Sequence, residues 1–223
     1  MKVSRLIDQA LTPDGKRMTL HERDGIYSIR IEGAELMSTR HHHSEDKLAE
    51  FACAGLREHR GARVLIGGLG LGFTLRSALQ ILGNDAQVTV AEIMKCVIQW
   101  NQNAKYPLGS DALADSRTIV LEGDVAQIIK ENPKEFDSII LDIDNGAVAM
   151  SASDNQHLYS HDGIQAIKRA LRPNGCLAIW SASEDPKFAK SMNKWGFDVQ
   201  TEQVSAHTHG GGWHTLFIGR MRT

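Results

Sequence analysis

The chain has 223 residues, 42% apolar and 23% charged, enough for one full hydrophobic core plus a small appendage. A formal net charge of −2 with no long Lys/Arg run gives no electrostatic footprint for nucleic acid, so no such partner is expected. The first residues, Met1 to Asp8, hold no sustained apolar region, and no stretch reaches the length of a membrane span; a cytoplasmic protein with no membrane partner is expected.

In chain order, Arg17 to Ser38 alternates polar and apolar residues and is broken by Asp24-Gly25 and by Glu32-Gly33. That pattern predicts a small N-terminal antiparallel hairpin or meander, and residues 1–43 are expected to form this β segment. Ser44-Glu45-Asp46 then offers a helix N-cap with acids in the first turn, and Leu48, Phe51, Ala52 and Leu56 share one face of the helix that follows. From Val64 onward, apolar strands alternate with helical stretches. Strands are expected at Val64–Leu69, Val88–Glu92, Thr118–Glu122, Phe136–Asp142 and Cys176–Trp180. The intervening helices are expected at Phe73–Leu82, Met94–Asn103, Val125–Asn132, Asp162–Leu171 and Pro186–Trp195. Such alternation requires a mostly parallel central sheet with helices on both faces. Val199–Ser205 and Thr215–Arg220 have no helix between them and predict an antiparallel close. The expected fold is α/β, a Rossmann-like class I methyltransferase fold spanning residues 44–223.

The sharpest chemical signal is Val64-Leu-Ile-Gly-Gly-Leu-Gly-Leu-Gly72. An apolar strand that breaks into glycines and then turns helical brings backbone N–H groups close to a bound nucleoside. Gly68, Gly70 and Gly72 are expected to leave no Cβ where the cofactor touches the chain. Their Gly-x-Gly-x-Gly spacing differs from that of a pyrophosphate-seating loop, and S-adenosylmethionine has no phosphate to seat. Glu92, roughly 20 residues on, is expected to accept hydrogen bonds from the ribose hydroxyls, with Ile93 beside it. Gly123 and Asp124 end the next strand; Asp124 can accept from an adenine amino group, cap the following helix, or do both, while the Val125 N–H reads a ring nitrogen. Asp142 and Asp144 end a buried strand, where carboxylates are costly unless they meet a cation such as a sulfonium or ammonium. His43 and Glu45 are expected to face the cleft and to orient or deprotonate an acceptor, which makes His43, Glu45, Asp142 and Asp144 the candidate catalytic residues.

The histidines His41, His42, His43, His207, His209 and His214 are expected in loops, but their spacing matches no metal-binding motif and no metal is expected. Cys53, Cys96 and Cys176 are widely spaced and are expected as free thiols, buried or partly so. Trp180 and Trp213 are the better candidates for a pocket wall, and residues 147–161 for a lid.

These motifs together resemble the spermidine synthase-like superfamily of Rossmann-like S-adenosylmethionine-dependent transferases, over most of the chain. His42-His43-Ser44-Glu45 resembles that family's Tyr-His-Glu motif, Gly67 to Gly72 its glycine loop, Ala91-Glu92-Ile93 its ribose site, and Asp142 to Asn145 its Asp-x-x-Asp motif. In aminopropyltransferases the glycine-loop acid and the first acid of that motif hold the amine of decarboxylated S-adenosylmethionine, while the second helps to hold the polyamine. Here Leu71 replaces the loop acid, Asn145 the second acid, and His42 the tyrosine. Each lost carboxylate removes a charge-assisted hydrogen bond of about 1.5–3 kcal/mol. The leading expectation is therefore a small-molecule methyltransferase using S-adenosylmethionine. Aminopropyl transfer from the decarboxylated cofactor is the first alternative, and a non-catalytic nucleoside-binding protein the second. The edge of the N-terminal hairpin must be paired or covered, which a homodimer would do.

Overall fold

The structure is a computed structural model that describes residues 4–143, 156–205 and 212–222. It opens with a four-stranded antiparallel meander, β1 (Arg5–Leu11), β2 (Arg17–Arg23), β3 (Ile26–Ile31) and β4 (Ala34–Ser38), in sequential order. Two of its turns are two-residue loops, Asp24-Gly25 (φ 53° and 78°) and Glu32-Gly33 (φ 50° and 87°). Left-handed backbone at both positions twists a hairpin in the same sense as its strands, which is why glycine takes the second position each time. The expected hairpin is thus one strand larger: β1 mixes exposed apolar and polar residues and shows no clean alternation.

A seven-stranded sheet follows, in the order β10-β11-β9-β8-β5-β6-β7. Its strands are β5 (Arg63–Gly67), β6 (Gln87–Glu92), β7 (Thr118–Glu122), β8 (Phe136–Leu141), β9 (Leu171–Ser181), β10 (Phe197–Ser205) and β11 (Trp213–Met221). Strands β5 to β9 pair in parallel, and β11 inserts antiparallel between β9 and β10. The helices are α1 (His43–Cys53), α2 (Phe73–Ile81), α3 (Lys95–Gln102), a short α4 (Ser110–Leu113), α5 (Val125–Glu131), α6 (His161–Ala170) and α7 (Pro186–Lys194). The expected α/β architecture is the observed one. No helix among the described residues is long and apolar enough to cross a membrane.

Each face of the sheet has its own apolar layer. One layer holds Leu65, Ile139, Leu141, Ile167, Met192 and Phe217 under α5, α6 and α7. The other joins the sheet to α1, α2 and α3 and also takes in Met18, Leu20, Tyr27 and Ile29 from the meander, so the N-terminal sheet shares a core with the rest of the chain. Trp100 of α3 fastens that contact, its Nε1 donating to Asp8 Oδ2 of β1 at 2.8 Å. Cys53 and Cys176 are buried free thiols, and burial first raises them to about 12 and about 11; Cys96 is a partly buried free thiol.

The expected cap of α1 is a correction. The helix begins at His43, one residue before Ser44, and its N-cap position is His42, which makes no capping bond with its side chain. Ser44 is instead buried in the first turn, with its hydroxyl turned toward the C-terminal strands. His43 and Glu45 accordingly sit within the helix.

Candidate active site

Parallel strands end together at one edge of the sheet, and there β6, β7 and β8 each deliver an acid: Glu92, Asp124 and Asp142. They border an open cleft. Gly68, Gly70, Glu92, Ile93, Gly123, Asp124, Val125 and Asp142 all line it. The opposite wall is apolar and comes from the N-terminal sheet, through Met18, Ile29, Leu36 and Met37. Sequence reasoning missed this wall because its residues read as ordinary core.

Gly68 is required by the chain itself. Its φ is 89°, and a Cβ there would sit 2.3 Å from the Asp142 carbonyl oxygen. Gly72 lies outside the cleft lining and packs on Gly109, where a Cβ would come within 2.8 Å of Cα. Close backbone packing therefore requires glycine at both positions, and Gly68 also lines the cleft. The loop is held from beneath by Asn101, which is fully buried. Its side-chain amide donates to the Gly70 and Val97 carbonyls at 2.8 and 2.9 Å and its Oδ1 accepts from the Gly109 N–H at 2.9 Å. Nothing in the local pattern of α3 marks Asn101, since two of these partners lie on other segments.

Glu92 is buried and held in place by backbone: Oε2 accepts from the Leu69 N–H at 2.9 Å and Oε1 from the Met94 N–H at 2.8 Å. Its carboxylate borders the cleft. Asp124 caps α5, accepting from the Ala126 N–H at 2.8 Å, and also lines the cleft. Ile93 is 58% exposed, an apolar surface beside two acids.

On the other side of Asp142 lies a more polar group. Thr74 of α2 donates to Asp142 Oδ2 at 2.5 Å. Burial, and then the negative charge of Asp142, push the Glu45 carboxyl up to about 7, partly offset by the hydroxyl of Ser44 that donates to it. Ser44 in turn meets Trp180 Nε1 at 3.1 Å and His214 Nδ1 at 3.0 Å. Trp180 meets Ser44 but does not line the cleft, and Trp213 is 65% exposed at the start of β11. His214 is in that strand, not in a loop. His43 neighbours Glu45 on α1 but does not line the cleft. Asp144, Asn145, His207, His209 and most of the expected lid lie outside the described residues. Among those described, no group of three or more His, Cys, Asp or Glu side chains could hold a metal ion.

No family model matches the chain. A polyamine aminopropyltransferase from Sulfolobus acidocaldarius is 31% identical over 126 residues, which span 56% of this chain and 40% of that protein. A spermidine synthase from Thermotoga maritima superposes with a TM-score of 0.75 at 19% identity, covering 97% of this chain and 72% of that one. A spermidine synthase bound to the transition-state analogue AdoDATO gives 0.73 at 19% identity with the same coverage. A probable spermidine synthase from Corynebacterium glutamicum gives 0.70 at 16% identity, covering 99% of this chain and 81% of that one.

The chain shares the fold of the spermidine synthases it superposes on. The methyltransferase expectation is corrected by the same comparisons, because the matched relative is an aminopropyltransferase and the superposed structures are spermidine synthases. It rested on the replacements at Leu71, Asn145 and His42. Leu71, which replaces the loop acid, is 3% exposed and packs in the core, so it leaves the Glu45 and Asp142 carboxyls untouched. His42, which replaces the tyrosine, stacks on Phe73 at 4.1 Å and pairs with Asp46 at 2.7 Å.

Proposed function

We propose that the chain transfers an aminopropyl group from decarboxylated S-adenosylmethionine to a small amine. The observation that carries this reading is the Glu45–Asp142 pair. Burial and the neighbouring Asp142 carboxylate raise the proton affinity of Glu45, a strain that a cation relieves, and both the amine tail of the donor and the ammonium of the acceptor are cations. S-adenosylmethionine itself would bring a third carboxylate to this pair, a like-charge contact that disfavours it against the decarboxylated form.

The remaining residues fit a nucleoside donor. Glu92 presents a carboxylate to the ribose hydroxyls, Asp124 with the Val125 N–H suits the adenine edge, and Ile93 offers it an apolar surface. Gly68 and Gly70 bring backbone close, and the methionine-rich wall of the N-terminal sheet keeps water from the reacting carbon. Bound there, the donor supplies a sulfonium-activated CH2. A neutral amine attacks that carbon, the new C–N bond forms as the C–S bond breaks, and the pair returns to sulfur to leave methylthioadenosine. The amine must first lose a proton. Glu45, poised near neutrality, accepts it, and Asp142 holds the cationic tail.

Calorimetric titration tests the reading. Decarboxylated S-adenosylmethionine should bind more tightly than S-adenosylmethionine, and Asp142→Asn should weaken the former by about tenfold or more, the loss of one charge-assisted hydrogen bond. Equal affinity for the two forms, unaltered by Asp142→Asn, contradicts it.

A further inference from the structure

Ser44 is 1% exposed, yet its single hydroxyl serves three side chains from distant parts of the chain. It lies 2.5 Å from Glu45 Oε2, 3.1 Å from Trp180 Nε1 and 3.0 Å from His214 Nδ1. A hydroxyl has one proton to give and two lone pairs to receive with. An indole N–H can only donate, so Trp180 occupies one lone pair in every state. The proton and the other lone pair are left to be divided between Glu45 and His214.

Two arrangements satisfy all three partners. With Glu45 ionised, Ser44 donates to the carboxylate and accepts from a protonated Nδ1. With Glu45 protonated, the carboxyl donates to Ser44 and Ser44 donates to a bare Nδ1. Passing from the second to the first moves one proton from Glu45 to the imidazole, with Ser44 losing one proton and gaining another. The imidazole packs edge-on against Trp180 at 4.6 Å and is itself only half-buried, so it joins the buried hydroxyl to solvent.

We propose that Ser44 and His214 form a proton relay that carries the acceptor amine's proton from Glu45 to solvent, with Trp180 fixing the hydroxyl between them. This rests on Glu45 as the proton acceptor of the proposed transfer. The acceptor ammonium gives its proton to Glu45, Glu45 passes a proton to the Ser44 oxygen, Ser44 passes its own to His214 Nδ1, and His214 releases one to water. Exchange of the His214 ring proton back to Nε2 through water returns every group to its starting state, ready for the next ammonium. The charged groups facing Glu45 are Asp142 from the end of β8 and Asp46 from α1; His214 faces Ser44 of α1 and Trp180 of β9. Ser44 and His214 are positioning residues here, since they act through Glu45.

Two measurements decide it. The first needs no turnover: nitrogen chemical shifts of the His214 ring, followed by NMR across pH in the full chain, should show an inflection that coincides with the titration of Glu45. Ser44→Ala and Glu45→Gln should both remove that inflection. A His214 ring whose shifts ignore Glu45→Gln overturns the relay. The second is steady-state turnover. His214→Ala should lower kcat about tenfold with KM for the amine unchanged, steepen the pH dependence, and recover with added imidazole. His214→Gln keeps a side-chain N–H but carries no mobile proton; it should be as slow as His214→Ala, and full activity in it overturns the relay. If the unsubstituted chain shows no aminopropyl transfer, the proposed function fails while the NMR measurement still decides the relay.

Discussion

Glu45→Gln is expected to stabilise the folded chain at alkaline pH while removing its proton acceptor. Burial and Asp142 raise the Glu45 carboxyl from an ordinary 4.5 to about 7, so between those values the folded state holds a proton that the unfolded chain has released. Stability then falls as pH rises, because the slope follows the protons bound by the unfolded minus the folded state, and this difference is negative. The penalty is absent below the unfolded value, accumulates across the window, and is complete above the folded one. At about 1.4 kcal/mol per pH unit, the rise corresponds to about 3 kcal/mol. Glutamine carries no charge to bury and can still accept from Ser44, so the substitution removes this penalty. Urea unfolding of both proteins from about pH 5 to about pH 8 supplies the test. Subtracting one curve from the other cancels titrations elsewhere. The advantage of Glu45→Gln should be small at the acid end and grow toward about 3 kcal/mol at the alkaline end. A difference that does not change with pH would refute the argument that Glu45 is held up by burial and Asp142.

Other substitutions test the scaffold beneath the cleft. Asn101→Leu leaves the Gly70 and Val97 carbonyls and the Gly109 N–H without this partner, and should cost about 3 kcal/mol or more in urea unfolding while weakening donor binding; an unchanged midpoint would contradict the role given to it. Gly68→Ala forces a Cβ against the Asp142 carbonyl at a φ of 89° and should lower the thermal midpoint by several degrees, corresponding to about 2 kcal/mol or more. Leu71→Asp restores an acid to the glycine loop but places it in the core. It should destabilise the chain by about 3 kcal/mol without tightening donor binding, and tighter binding in calorimetry would show instead that position 71 reaches the cleft.

What the sequence made legible was local. Glu92, Asp124 and Asp142 stand where apolar strands stop, and period and composition alone place a strand's end within a residue or two. The parallel order followed from strict alternation of strands and helices. What escaped was formed by contacts between segments far apart in sequence. Ser44 reads as a helix cap from its neighbours, yet its partners Trp180 and His214 lie 136 and 170 residues away. Asn101 is one polar residue on a helix until Gly70 and Gly109 fold against it. The apolar cleft wall from Met18, Ile29, Leu36 and Met37 has no chemical signature of its own, and β1 lacks the alternation that would announce a strand. The replacements at Leu71, Asn145 and His42 misled for the same reason: the carboxyl pair at Glu45 and Asp142 becomes visible only once α1 is packed beside the end of β8.

The most direct test of aminopropyl transfer is to incubate the full chain with a panel of small diamines and polyamines, giving it decarboxylated S-adenosylmethionine in one series and S-adenosylmethionine in the other, and to follow products by mass spectrometry. The account predicts methylthioadenosine and an aminopropylated amine in equal amounts, in the decarboxylated series alone. Methylated amine with S-adenosylhomocysteine in the other series, or tight donor binding with no product from any amine, would contradict it.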